Sequence, residues 1–241
     1  MKPVPAESTP VALVTGASRG IGRALAEHLL ARGYQVVGCS RGDADWTDDR
    51  YLHLRADVAD ESDVKSLCRE IKRRHGRLDV VINSAAVAST NHLLLTPAAS
   101  VETMLRVNVT GTLLVSREAA KLMRKRGYGR IVNISSIAVP LQIPGQAGYV
   151  ASKSAVEGLS KVMAGELAEY GITVNVIGPS PIDTDMIRGL PKEKVEQLVG
   201  KMSVRRMGTH ADVANVLDFF LRPESSAVTG QVVYLGGITP A

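Results

Sequence analysis

Ser136, Tyr149 and Lys153 stand in the order Ser–(12 residues)–Tyr–x–x–x–Lys. Four residues apart in a helical pattern, Tyr149 and Lys153 share one helix face, so a phenol and an ammonium converge on one point. A free phenol keeps its proton to a pH of about 10, and a neighbouring cation makes that proton easier to give up. The pair is suited to passing a proton to an oxygen on which negative charge develops. Ser136 ends an apolar run and places a hydroxyl at the same edge. Singly, each residue has a plainer reading: packing for the tyrosine, solvation for the lysine, a strand end for the serine.

A second constellation stands far upstream. Thr15-Gly16-Ala17-Ser18-Arg19-Gly20-Ile21-Gly22 follows the first apolar run and opens into a helical pattern. Glycines there let the backbone turn tightly and approach a pyrophosphate, while the helix start offers free N–H groups and a partial positive charge. The spacing is G-x-x-x-G-x-G, and glycines also serve ordinary turns; the position between strand and helix is what favours a dinucleotide. An acidic residue ending the second strand would accept the ribose hydroxyls of NAD and repel a 2′-phosphate. Here that run ends Cys39-Ser40-Arg41, which with Arg19 favours NADP through charge-assisted hydrogen bonds. Asp43 and Asp45 follow closely in the next loop and weigh the other way.

The elements that must position these groups alternate. Apolar runs at 11–15, 35–39, 51–54, 78–83, 130–135, 173–177 and 231–235 predict strands, several apolar at nearly every position, as strands covered on both faces require. Helical patterns at 21–32, 61–75, 98–126, 149–170 and 211–221 lie between them. Asp60 with Asp63 marks a helix start, and Thr209 with Asp212 resembles a capping box. Such alternation predicts right-handed βαβ units: an α/β fold with a doubly wound parallel sheet of about seven strands and helices on both faces. No linker interrupts the series, so residues 11–241 are read as one domain. Segment 185–208 adds an amphipathic stretch before the last strand, at the sheet edge where ligands bind; it is expected to act as a substrate lid, the alternative being an inert surface excursion.

Bulk properties narrow the setting. The chain has 241 residues, 45% hydrophobic and 22% charged, ordinary for a soluble globular protein that needs neither disulfides nor metal. Its two cysteines, Cys39 and Cys68, stand apart with no CxxC or histidine cluster; both are read as reduced, which favours the cytoplasm, and no metal site is expected. The net charge of +5 fits an anionic ligand or scattered surface Lys and Arg equally. The densest basic stretch, Lys121, Arg124, Lys125, Arg126 and Arg130, lacks interleaved aromatics, so no nucleic-acid surface is expected. Residues 1–10 (MKPVPAESTP) read as a disordered start with no apolar signal region. No apolar run nears the ~18 residues needed to span a membrane.

Together these motifs resemble the single-domain short-chain dehydrogenase/reductase family over nearly the whole chain, implying a Rossmann-type fold. T-G-x-x-x-G-I-G matches at Thr15 to Gly22, Y-x-x-x-K at Tyr149 to Lys153, and the upstream serine at Ser136. The family's helix asparagine matches Asn108, and its adenine-contacting aspartate matches Asp57, followed by Val58. The resemblance implies cofactor contacts at Asn83, Ser84 and Ala85 and, after the sixth strand, at Pro179, Ile182 and Thr184. Departures stand at Ser84 and Ser180, where the family has N-N-A-G and P-G, and at Leu235 before Gly236-Gly237.

The implied chemistry is reduction of a ketone, with NADPH supplying hydride and Tyr149 the proton. By the resemblance, Lys153 lowers the phenol's pKa and holds the nicotinamide ribose, Ser136 binds the substrate oxygen, and Asn108 positions a water linking Lys153 to solvent. Val139, Leu141, Ile143 and Pro144, which follow Ser136, are expected to border the substrate with Tyr149; core packing would need the same types. Within the family the nearest branch is 3-oxoacyl-(acyl-carrier-protein) reductase, through Gly129–Ser136, Gly171–Val176 and Val228–Gln231. Two positions often basic in that branch are Gly127 and Tyr170 here, with Arg124, Lys125 and Arg126 nearby. The rival readings are a reductase of a free small carbonyl or alcohol and a dinucleotide-binding regulator without catalysis. The resemblance also implies a homotetramer built through the helices at 98–126 and 149–170, against a monomer with those helices covered.

Overall fold

Short apolar strands are buried on both faces where helices cover each side of their sheet, and the computed structural model, which describes residues 9–189 and 192–237, has that arrangement. Most of the expected disordered start, residues 1–8, lies outside the described residues, as do 238–241. The strands are β1 (Val11–Thr15), β2 (Gln35–Ser40), β3 (Tyr51–Arg55), β4 (Val80–Asn83), β5 (Gly129–Ile134), β6 (Ile172–Gly178) and β7 (Val232–Tyr234). They form one parallel sheet in the order β3-β2-β1-β4-β5-β6-β7. The chain starts mid-sheet, winds out to β3 and returns to β4, so the winding reverses between β1 and β4. That reversal opens a crevice at the carboxyl ends of these strands.

The helices are α1 (Gly20–Ala31), α2 (Glu61–His75), α3 (Ala98–Met104), α4 (Gly111–Met123), α5 (Ala138–Leu141), α6 (Ala147–Leu167), α7 (Asp185–Arg188), α8 (Lys192–Gly200) and α9 (His210–Leu221). One face of the sheet packs Val11 and Leu13 against Ile71 of α2, Val115 and Met123 of α4, and Met163 of α6. The other packs Ala12 and Val14 against Leu25 and Leu29 of α1 and Leu217 and Phe220 of α9. Alternate side chains of one strand thus feed two cores, and each fully buried Leu or Ile contributes roughly 1.5–3 kcal/mol.

Local signals account for the ends. The Asp60 carboxylate accepts from the Ser62 and Asp63 amides at the start of α2, and Thr209 and Asp212 form a reciprocal capping box on α9. The pattern at 98–126 is not one regular helix. A π turn, Leu105–Thr110, separates α3 from α4, and a 3-10 turn at Arg124–Arg126 ends it. The segment 185–208 carries two short helices, α7 and α8; residues 190–191 between them lie outside the described residues.

Candidate active site

A cleft of about 940 Å³ runs along the crevice. The loop between β1 and α1 lines one end with Gly16, Ser18, Arg19, Gly20, Ile21 and Gly22. Space explains two of its glycines. A Cβ on Gly22 would sit 2.3 Å from the Gly16 carbonyl oxygen, and one on Gly16 would sit 2.9 Å from the Ala85 backbone. The chains therefore approach as closely as backbone allows. Arg19 at the N-cap of α1 makes no side-chain cap, which leaves first-turn amides open to an anion. The loop is pinned from below, since the Gly16 and Ala17 amides both donate to the Cys39 carbonyl at the end of β2.

Beyond β2, Ser40 and Arg41 line the cleft. Ser40 Oγ donates to the Gly42 carbonyl at 2.7 Å and lies 3.0 Å from His53 Nε2. The two acids that weighed against a phosphate are occupied. Arg55 Nε donates to Asp43 at 2.6 Å and holds that carboxyl below its ordinary range. Arg23 Nη1 donates to Asp45 at 2.9 Å. Trp46, stacked on Tyr51 at 3.8 Å, donates to the Ala17 carbonyl and ties this loop to the glycine loop. Asp57 and Val58 also line the cleft, and Asp57 already accepts from the Ala59 amide at 2.9 Å.

At the other end, β5 delivers Ser136 and α6 delivers Tyr149 and Lys153, all lining the cleft. Tyr149 is 9% and Lys153 3% exposed. Lys153 Nζ donates to the Ile134 carbonyl at 2.8 Å and lies 5.9 Å from the Tyr149 ring centroid. Burial pushes the Tyr149 phenol up, and a hydrogen bond with Ser136 pulls it back. Burial lowers Lys153 to about 8, with Glu157 opposing. Ser136 Oγ accepts from the Ala138 amide at 3.1 Å. Ser84, Ala85, Pro179, Ile182, Thr184 and Ile143 line the same cleft.

Five expected site residues do not line the cleft. Asn83, the last residue of β4, is buried beneath the cleft wall, its amide donating to Ser116 and Asn133. Val139, Leu141 and the exposed Pro144 do not line the cleft. In an extended chain Val139 and Leu141 would share a face with Ile143, but the helical turn α5 breaks that alternation. Asn108 is buried in the π turn, outside the cleft lining. Its Oδ1 accepts from the Val87 amide and its Nδ2 donates to the Val87 carbonyl and Ser152 Oγ, so both amide hydrogens are used within the protein. Arg124, Lys125 and Arg126 precede β5 and lie at the opposite sheet edge from Ser136 within one chain.

Sequence reasoning passed over Gln146 and Glu157, and named no individual residue of the 185–208 segment it expected at the cleft. Gln146, just before α6, lines the cleft with its Oε1 buried and unpartnered among the described residues. Ile187 of α7 and Leu198 of α8 bring the 185–208 segment to the cleft. Glu157 is buried one turn beyond Lys153. Only Gln146, three residues before Tyr149, had a local signal in its spacing; the others depend on contacts distant in sequence.

A sequence profile of the family described as Enoyl-(Acyl carrier protein) reductase matches residues 16–239. The chain is 33% identical over 233 residues to 3-oxoacyl-(acyl-carrier-protein) reductase of Escherichia coli, covering 94% of this chain and 96% of that protein. The reductase of the same name from Staphylococcus aureus is 35% identical over 240 residues, covering 95% and 97%. That of Salmonella typhimurium is 33% identical over 233 residues, with 94% and 96% covered.

Proposed function

The chain belongs to the short-chain dehydrogenase/reductase family of oxidoreductases, and on that premise we propose that it reduces a ketone, foremost a 3-oxoacyl thioester, to a secondary alcohol with NADPH. The observation that carries this reading is the burial of Tyr149 and Lys153 together, beside Ser136, in a cleft that also holds a glycine-rich cradle.

The residues present fit the cofactor. The uncapped start of α1 suits a pyrophosphate, and Arg41 and Arg19, with Asp43 and Asp45 tied up by Arg55 and Arg23, suit a 2′-phosphate. Asp57, Val58, Ser84, Ala85, Pro179, Ile182 and Thr184 line the same cleft. When bound, NADPH supplies the hydride that the carbonyl carbon receives. Tyr149 gives its proton to the carbonyl oxygen, Ser136 holds that oxygen, and the Lys153 ammonium stabilises the phenolate left behind. Asn108 fixes the chain after β4 against α6 through Val87 and Ser152, so it acts on position and not through a water held by its amide hydrogens.

Three further readings belong to this proposal. Residues 11–241 act as one domain with 185–208 as a substrate lid, supported by Ile187 and Leu198 at the cleft. The two cysteines are buried and free, which suits a reducing cytoplasm. No helix among the described residues is long and apolar enough to cross a membrane. The protein assembles as a homotetramer, supported by apolar side chains exposed on its long helices.

The deciding experiment follows NADPH oxidation at 340 nm with 3-oxoacyl thioesters, free and carrier-linked, and with simple ketones, NADH alongside. Thioester-selective turnover with NADPH supports the proposal. Turnover of free ketones alone replaces it with reduction of a small free carbonyl, and a preference for NADH overturns the cofactor. Tight NADPH binding without turnover makes the protein a dinucleotide-binding regulator.

A further inference from the structure

Helix α6 carries a second ionisable group that no step above uses. Glu157 lies four residues beyond Lys153, is 9% exposed, and is absent from the cleft lining. Each carboxylate oxygen accepts a hydroxyl: Oε1 from Ser135 Oγ at 2.5 Å, Oε2 from the Tyr234 hydroxyl at 2.7 Å. Ser135 immediately precedes Ser136, and Tyr234 is the last residue of β7. The carboxylate thus joins three elements at the point where they meet under the cleft.

A buried carboxylate is costly unless charge and hydrogen bonds compensate it. Two hydroxyls supply hydrogen bonds but no charge. No Lys, Arg or His among the described residues lies within ion-pair distance of it, and the nearest cation by position is Lys153, one turn away, where side chains stand about 5–6 Å apart at Cβ. Lys153, 3% exposed, has among the described residues only the neutral Ile134 carbonyl as a hydrogen-bond partner of its ammonium. The other titratable groups at this spot are phenols, Tyr149 on α6 and Tyr234 on β7, and burial pushes both up, so they stay neutral near pH 7.

We propose that Glu157 is a positioning residue of the Tyr149–Lys153 pair: clamped by Ser135 and Tyr234, its carboxylate balances the buried Lys153 ammonium while its bond to Ser135 sets the strand end that presents Ser136. The geometry assigns it both parts because one side chain reaches the strand carrying Ser136 and the helix carrying Lys153. Its effect on Lys153 runs in the required direction, opposing the loss of the proton that burial favours. The inference rests on reading Tyr149 and Lys153 as the reacting pair, but its main readout needs no turnover.

Competitive labelling of the full chain with acetic anhydride across a pH series, quantified at Lys153 by mass spectrometry, reports that lysine's titration directly. In Glu157→Gln, which keeps the shape and removes the charge, the Lys153 midpoint should fall by about one pH unit, raising its neutral-to-charged ratio roughly tenfold at any given pH. In Tyr234→Phe, which removes one clamp but not the charge, it should stay near the wild-type value. The alkaline limb of the NADPH oxidation rate should move with the Gln variant alone. An unmoved Lys153 midpoint in folded Glu157→Gln overturns the proposal, as does an equal movement in both variants, the mark of general loosening. If the Gln variant does not fold, Glu157→Met, which needs no hydrogen-bond partner, carries the same expectation. A moved midpoint in a protein that reduces no carbonyl keeps the charge coupling and sinks the proposed reaction; turnover with an unmoved midpoint does the reverse.

Discussion

Burial acts in opposite senses on the two groups at the reacting end of the cleft. It raises the Tyr149 phenol, making it a reluctant acid, and lowers Lys153 to about 8, making it a cation that is easily lost. Proton transfer from Tyr149 is therefore feasible only while Lys153 is charged. Because the lysine's proton leaves as pH rises through about 8, reduction at saturating NADPH should be flat near neutrality and fall tenfold per pH unit on the alkaline side. A rate that keeps rising to pH 10 would remove Lys153 from the mechanism. Tyr149→Phe should lower turnover by about 10²–10⁴ while leaving NADPH affinity and melting temperature nearly unchanged; full activity in that variant ends the assignment of Tyr149. These residues were legible in the sequence because a four-residue spacing on one helix is a local property. Glu157 was not, since its hydroxyl partners come from β5 and from β7, 77 residues further on.

At the scale of elements, runs with period two or no polar break located all seven strands, and capping residues located the starts of α2 and α9. The π turn escaped detection because widening a helix by one residue leaves the apolar pattern at 98–126 readable as one helix. It matters for the site. The turn buries Asn108 where its amide spans the Val87 backbone and Ser152, joining the chain after β4 to the helix that carries Tyr149 and Lys153. Asn108→Ala would leave the half-buried Val87 amide and carbonyl without that partner and Ser152 Oγ without its buried one, costing about 2–3 kcal/mol. For a chain of this size that corresponds to a melting temperature lower by roughly 4–12 °C. The loss of activity should exceed what the melting shift explains at assay temperature, because the displaced loop borders the cleft at Val87. An unchanged melting temperature would mean the Val87 contacts are not what Asn108 maintains. The same locality explains why Val139 and Leu141 stand off the cleft: they alternate with Ile143 only if the chain is extended, whereas α5 makes it helical there.

Strand order is a property of the whole molecule, and its outline followed from alternation plus the handedness of βαβ crossovers. What no local pattern specifies is which helical faces meet a second copy of the chain. In one chain Leu113 on α4 is 39% exposed, Leu105 in the π turn 40%, and Val162 on α6 59%. All three belong to the helical layer on the sheet face opposite α1 and α9. Scattered apolar exposure is ordinary, but its recurrence on both long helices is what self-association through them requires. Static light scattering should therefore give a mass about four times the 25.7 kDa chain. Leu113→Lys with Val162→Lys separates assembly from folding. On an isolated chain both positions are solvated and the lysines cost little, within about 0.5 kcal/mol each. Inside an interface each would bury an unpaired ammonium, which costs several kcal/mol per ion and recurs in every copy. The double variant should keep its helical circular dichroism and drop to dimer or monomer mass. A wild-type monomer, or a double variant that remains tetrameric, would show that these helices are not what joins the chains.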